Sequence, residues 1–396
     1  MFWIAVIAGA TILTLSTGLR QTFGLFVKPI SMDLSLGREI IGFAIGLQNL
    51  LWGLASPFAG AIADKFGAPR VVIAGAAAYA AGLFVMAYSG SGTMLILGNA
   101  LVGLALSSTG FSVILGAVGR MAAPEKRSTA LGILTAGGSF GQFAMMPYAH
   151  ILLDAFGWSM ALVVLGATAL LMAPLTVGLS REKLPASSAD AQTLRQALSE
   201  AFRHRGFWLL TLGFFVCGFQ LIFVGTHLPP FLADKGMPSW VAAWTLALVG
   251  LFNIIGSYGC GVLGSRYSKK NLLALVYTLR SLVFLLFILL PQSEVTVLMF
   301  GAALGLLWLG TVPLTSGLVA YIFGPAYMSM LYGIVFFSHQ VGSYLGAWLG
   351  GIAYDVLGSY DLMWWVCVAL GLVAAALNWP IAERPVPRLA VAGAAR

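Results

Sequence analysis

The chain has 396 residues, of which 60% are hydrophobic and only 9% charged. Soluble domains carry about 25% charged residues, so this surface is not built to face water, and a soluble enzyme, a disordered chain and a nucleic-acid-binding module are excluded. The net charge of +8 lies in short clusters between long apolar runs rather than in one patch, which points to membrane topology and not to a polyanionic partner.

A helix that crosses a bilayer needs about 20 mostly apolar residues, because hydrocarbon offers the backbone no hydrogen bonds. Twelve stretches qualify, and the first half holds Ile4 to Val27, Ile40 to Ala63, Val71 to Ser89, Met94 to Gly119, Thr129 to Leu153 and Ser159 to Leu179. The second half holds Gly206 to Pro230, Trp240 to Gly264, Asn271 to Leu290, Val295 to Ala320, Tyr327 to Tyr354 and Leu362 to Ile381. No charge precedes Arg20, so the first run lacks the basic flank of a cleaved signal peptide. Cys217, Cys260 and Cys367 fall inside apolar runs without metal-ligand spacing. Neither a disulfide framework nor a metal site nor a cofactor is expected.

Lys and Arg set the orientation. Only Lys28, Arg38 and Lys235 fall in one set of loops and only Arg20 and Arg280 inside spans, so 16 of the 21 basic residues lie on the side of the two termini. That asymmetry predicts cytoplasmic termini and a cell inner-membrane location. The polar interval 181–205 reads as a cytoplasmic linker between six-helix bundles at 1–180 and 206–381, with a short tail at 382–396. Around Ala191 to Phe202 it has the pattern of an amphipathic surface helix.

The second half lies on the first at an offset of 201 residues, which pairs Gly60 with Gly261, Lys65 with Arg266, Gly132 with Gly333, Gly141 with Gly342, Asp154 with Asp355 and Gly157 with Gly358. Six spans per half start each half on the same side, so the repeat is parallel and substrate sites are expected near the midplane between halves. The fold class that follows is an all-α membrane protein of twelve helices in two six-helix repeats.

The loop Gly60-Ala-Ile-Ala-Asp64-Lys65-Phe-Gly67-Ala-Pro-Arg70, with the repeat and the central linker, resembles the signature between helices 2 and 3 of the major facilitator superfamily. The resemblance covers essentially the whole chain. Arg20-Gln-Thr-Phe-Gly-Leu-Phe26 and Asn253-Ile-Ile-Gly256 are similar to the bacterial monocarboxylate and oxalate/formate branch, although Ser257 stands where many of those relatives have a carboxylate-binding arginine. The resemblance implies gating by Asp64, Lys65, Arg70 and Arg120. Physically, a carboxylate at Asp64 can pair with Arg120 or cap a helix of the other half, and the alternative is a positive-inside anchor.

Ionisable groups inside spans are functional candidates, because a charge at the bilayer centre costs at least about 2.5 kcal/mol. All 13 acidic residues fall in loops or near helix ends, leaving Arg20, Arg280, His339 and, nearer the outer surface, His227. Cationic groups without a buried counter-charge attract anions. Arg20, about 10 Å from the outer end of helix 1 at 1.5 Å per residue, is positioned to grip a carboxylate bidentately, or else to snorkel. Arg280 is either a second ligand or a structural pairing of a peripheral helix. His339 is the candidate carrier of a coupling proton, against a neutral packing role. Asn253, Gln340 and Gln48 are candidates to orient the substrate, each of which also serves as helix-to-helix glue worth about 1 kcal/mol.

The expected activity is secondary transport of a small organic anion, a monocarboxylate, by rocking alternating access coupled to a proton or a counter-anion. The expected protein is a monomer in the bilayer with no nucleic-acid partner. The alternative within transporters is a larger amphiphile such as a drug-like compound or siderophore. The sequence supplies no carboxylate pair, HExxH or Ser-His-Asp set, so an enzyme is not expected.

Overall fold

In a computed structural model the described residues, 2–121, 124–179, 194–323 and 328–388, form helices and short turns, with no strand among them. The first six spans are α1 (Phe2–Asp33, tightened to 3-10 at Thr22–Phe26), α2 (Arg38–Phe66), α3 (Ala68–Ala87), α4 (Gly92–Thr109 continued by Phe111–Met121), α5 (124–156) and α6 (158–178). The second six are α7 (Arg205–Asp234), α8 (Ser239–Arg266), α9 (Lys269–Leu289), α10 (Glu294–Leu307 continued by Thr311–Phe323), α11 (Met328–Leu357) and α12 (Asp361–Asn378). A short helix, Leu194–Arg203, precedes α7 where the amphipathic stretch was expected. Most of the linker, and the tail beyond residue 388, lie outside the described residues.

Ten helical runs are long and apolar enough to cross a membrane by length and composition, against twelve expected stretches. The difference has two physical causes. Residues 133–178 form one 46-residue run, yet Gly157 at φ 74° and ψ 171° turns the chain between α5 and α6. The other cause is α11, whose apolar run is diluted by Ser338, His339, Gln340 and Ser343.

The repeat is also written in the backbone. Left-handed conformations occur at Gly157 and Gly358 (φ 74° and 70°) and at Ser35 and Gly236 (φ 50° and 76°), and both pairs stand 201 residues apart. The break in α4 at Gly110 has its counterpart in the break of α10 just before Thr311.

Across the halves, α2 packs on α11 and α5 on α8. A methyl on Gly42 would overlap the carbonyl of Ala347, one on Gly351 the carbonyl of Arg38, and one on Gly24 the carbonyl of Gly225 on α7. Small residues therefore let these backbones meet. The α2–α11 contact runs from Arg38 and Gly351 through Gly46 and Tyr344 to Gly53 and Gln340. Continuing along the same faces, Gly60 and Gly333 have no atom of the described residues within 4 Å of where a Cβ would stand. The halves thus meet at the end holding residues 34–37, 235–238 and 358–360, here the far end, and among the described residues these contacts lapse toward the end of the termini, the tail end.

At the tail end Glu383 caps α9, accepting from Ser268 Oγ at 2.6 Å and from the backbone N–H of Lys269 at 3.1 Å and Lys270 at 3.3 Å. Burial opposes ionisation of Glu383, but these donors and the nearby Lys269 ammonium outweigh it and hold the carboxyl below its usual range. Arg388 ties on to Glu200 of the short helix at 3.3 Å and to the Phe323 carbonyl at 3.1 Å.

Candidate functional site

A polar space between the halves is walled by Arg20, Gln21 and Phe23 of α1, Ile45, Gln48 and Asn49 of α2, and Ile222, Gly225 and Thr226 of α7. Arg20 ends the first helical stretch of α1, and its guanidinium carbon lies 5.0 Å from the Trp52 ring centroid, a cation–π contact. Among the described residues it has no hydrogen bond and no ion pair. Beside it the Gln48 amide is fully buried with neither its oxygen nor its nitrogen bonded, and the Asn49 Oδ1 is also without a partner. Leaving such groups unpaired costs about 1–3 kcal/mol each, so the space is chemically made for something that hydrogen-bonds. Its volume is about 10 Å³, room for about one water molecule. A larger ligand enters only when the helix walls move apart.

Gln340 and His339 sit on the α11 side of the same interface. Gln340 Nε2 donates to the Asn49 carbonyl at 3.1 Å, a bond between halves, and its Oε1 stands 3.1 Å from His339 Nδ1. With the amide in that orientation Oε1 only accepts, so Nδ1 carries a hydrogen and Nε2 is the nitrogen left free of that bond. The imidazole stacks on Phe336, with ring centroids 5.6 Å apart and planes 9° apart, and lies 4.9 Å from Phe214.

Two expected ligands stand instead at the α10 break. Arg280 is fully buried. Its Nη2 donates to the Leu307 and Trp308 carbonyls at 2.5 and 2.9 Å, and its Nη1 to Gln220 Oε1 at 3.2 Å and Cys217 Sγ at 3.5 Å. Those carbonyls are the orphan acceptors of an interrupted helix, and a cation there opposes the negative end of its dipole. Asn253 serves the same break from α8, accepting from the Leu309 N–H at 3.0 Å and from Ser257 at 2.9 Å, while its Nδ2 reaches Ser139 of α5 at 3.3 Å. The structure thus brings Arg20, Gln48 and, through Asn49, Gln340 together, and sets Arg280 and Asn253 apart from that pocket. His227 is likewise engaged, with Nε2 2.7 Å from the Ala347 carbonyl and Nδ1 3.3 Å from the Tyr360 hydroxyl.

Of the expected gating residues, Arg70 is exposed on the tail-end turn, and the side chains of Asp64, Lys65 and Arg120 lie outside the described residues. A latch of the kind expected at Asp64 is present at the opposite end. Asp355, near the C-terminus of α11, accepts the Arg38 N–H at 3.0 Å and the Glu39 N–H at 2.8 Å, capping α2 of the other half. Arg38 grips Asp234 of α7 bidentately at 2.5 and 2.9 Å, meets the Tyr360 hydroxyl at 3.0 Å and lies 3.6 Å from the Tyr354 ring centroid. Lys28 adds a second cation on Asp234 at 3.1 Å. Sequence reasoning counted Arg38 as a loop charge and missed this network. The available signal was its position directly after Gly37 at a helix start, on a side nearly devoid of basic residues.

Comparison with known proteins accords with this architecture. The chain is 27% identical over 378 residues to the uncharacterized MFS-type transporter YcxA of Bacillus subtilis (strain 168), covering 90% of this chain and 89% of that one. It is 25% identical over 378 residues to monocarboxylate transporter 11 of Mus musculus, covering 92% and 84% respectively. Among solved structures it is similar to a bacterial homolog of the human lysosomal transporter Spinster, in an inward-facing and occupied conformation, with a TM-score of 0.76 at 16% identity over 96% of this chain and 98% of that one. It is similar also to the nucleoside transporter NupG, with a TM-score of 0.78 at 15% identity over 95% and 99%. A family profile, "Major Facilitator Superfamily", matches residues 7–312. A broken-helix, twice-repeated bundle with a polar pocket between its halves, matched by that profile over most of its length, is therefore a multi-pass membrane protein that belongs to the major facilitator superfamily of transporters.

Proposed function

We propose that the protein carries a small monocarboxylate across the inner membrane by alternating access, with both termini in the cytoplasm. The observation that supports this best is the Arg20 guanidinium, unpaired beside the buried, unbonded Gln48 amide in a pocket shared by α1, α2 and α7. A carboxylate accepts two parallel hydrogen bonds from Arg20, and Gln48 offers one further polar contact. The relatives named as monocarboxylate transporters favour the same substrate class. His339 carries the coupling proton, and its bond through Gln340 to Asn49 links proton and substrate across the halves.

The six-helix bundles 1–180 and 206–381 rock about this pocket, joined by the linker 181–205, and the tail 382–396 stays on the cytoplasmic side. At the far end the Asp355 cap and the Arg38–Asp234 pair close the outer gate. Asp64, Lys65, Arg70 and Arg120 form the opposing gate. Moving a lone anion inward against an inside-negative potential costs about 2.3 kcal/mol per 100 mV, so inward transport requires a co-transported proton or an exchanged anion, and His339 favours the proton. The protein works as a monomer, without cofactor.

The experiment is uptake into proteoliposomes of a panel of labelled organic anions, amines and nucleosides, with and without a pH gradient. Saturable uptake of monocarboxylates driven by an acidic outside supports the reading. Movement of cationic compounds alone overturns it.

A further inference from the structure

Arg280 raises a problem of charge. It is fully buried near the membrane centre, and no carboxylate lies within ion-pair distance of it among the described residues. Carbonyl dipoles at Leu307 and Trp308 solvate the guanidinium but do not neutralise it. Bare charges in hydrocarbon-like surroundings are expensive, and proteins meet that cost with a counter-ion or a titratable partner. One acidic group touches the guanidinium directly, accepting its N–H through sulfur. Cys217 Sγ is 3.5 Å from Arg280 Nη1, and the Thr311 hydroxyl stands 3.3 Å from the same sulfur. A thiolate there accepts from both.

The other titratable groups facing Cys217 are Tyr277 from α9 and Tyr332 and His339 from α11, with α10 contributing the Thr311 hydroxyl. Cys367 of α12 lies behind Gln220, whose amide donates to its carbonyl at 2.8 Å. His339 packs against the same stretch of α7, its ring centroid 4.9 Å from that of Phe214. Backbone packing puts the two together, since a methyl at Gly218 would overlap the His339 carbonyl. With Nδ1 committed to Gln340, the basic nitrogen of that imidazole is Nε2.

We propose that Cys217 is the membrane-embedded acid of the transport cycle, alternating between a thiolate that neutralises Arg280 and a thiol that releases its charge. This rests on the reading of the protein as a proton-coupled anion transporter. On deprotonation the S–H bond breaks, its electron pair stays on sulfur, and the proton passes to His339 Nε2 and then to water at the tail-end opening. On protonation the thiol is neutral and the cluster carries the full positive charge of Arg280. Anion binding at the neighbouring pocket is then favoured, so proton and anion raise each other's affinity. A chain with no mid-membrane carboxylate thereby still has an acid that loads and unloads.

The test uses the full-length protein in proteoliposomes and the labelled monocarboxylate best carried by the wild type. One proton per anion supports about tenfold accumulation per unit of pH gradient. Cys217→Ser is expected to lose that accumulation, falling to about onefold, while retaining counterflow exchange of anion for anion. Cys217→Asp, which restores an acid, is expected to recover accumulation. Cys217→Ser accumulating like wild type overturns the proposal, and so does failure of Cys217→Asp to recover what Ser loses. Should the Ser protein not fold, Cys217→Ala against Cys217→Asp poses the same question. Wild type that exchanges monocarboxylates without moving protons refutes the role of Cys217 alone, whereas wild type that carries no monocarboxylate refutes the underlying function.

Discussion

Replacing Asp355 by Asn keeps the size of the side chain that closes the far end and removes its charge. The carboxylate accepts two backbone N–H groups from the first turn of α2, at 3.0 and 2.8 Å. Asn keeps one acceptor oxygen but turns its NH2 toward the second backbone N–H, so one of the two hydrogen bonds is lost, at about 1 kcal/mol, and loss of a negative charge at an exposed helix N-terminus costs about 0.5 kcal/mol more. The sum, about 1.5 kcal/mol, moves the balance between closed and open far ends by roughly tenfold. The repeat provides a control, because Asp154, the counterpart of Asp355, makes an ion-pair contact, among the described residues, only within its own helix, with His150 at 3.5 Å. Spin labels on cysteines at Met32 and Val356, both exposed at the far end, report the separation of the halves by pulsed electron paramagnetic resonance. In Asp355→Asn the long-distance population should rise roughly tenfold relative to wild type, while Asp154→Asn matches wild type. Superimposable distributions for Asp355→Asn and wild type would refute the latch.

Arg280→Met should lower thermal stability in detergent by about 2–4 kcal/mol, since two helix-end carbonyls and Gln220 lose their donor. Arg20→Gln, which breaks no hydrogen bond among the described residues, should leave the melting temperature unchanged. Glu383 is held below its usual range by its cap on α9. Its contribution to stability is therefore present above about pH 4.3, the unperturbed glutamate value, and fades as pH falls through its lower folded value. Glu383→Gln should melt earlier than wild type at neutral pH, with the gap closing in acid. A gap that widens in acid contradicts the assignment.

Spans, repeat and turn glycines were legible in the sequence because hydrocarbon leaves the backbone so few options and because a 201-residue offset repeats them. The chemistry was legible only in part. Arg20 and Gln48 announced themselves as polar groups in apolar helices, and the structure brings them together. Arg280 and Asn253 gave the same signal, yet both serve the α10 break, which hydropathy does not reveal since residues 308–310 read Trp-Leu-Gly within an apolar run. Pattern reasoning offered Asp64, where the motif lies, as a carboxylate that pairs with Arg120 or caps a helix of the other half, and its side chain lies outside the described residues. A cap of that kind is present at Asp355, and its importance depends on which helix of the other half arrives opposite, a fact of packing alone. Cys217 gave no signal beyond its place in an apolar run, because its neighbour Arg280 is 63 residues away in the chain.

The central claim, that a free guanidinium on α1 receives the substrate carboxylate, is tested most directly by comparing wild type, Arg20→Gln and Arg20→Lys in counterflow, the exchange of labelled for unlabelled monocarboxylate in proteoliposomes without any gradient. Loss of a charge-assisted bidentate contact is worth about 1.5–3 kcal/mol per hydrogen bond, so Arg20→Gln should lose at least tenfold in exchange at low substrate concentration. Arg20→Lys, which keeps the charge but not the fork, should fall between the two. Exchange by Arg20→Gln at the wild-type rate and apparent affinity, in a protein of unchanged stability, would contradict it.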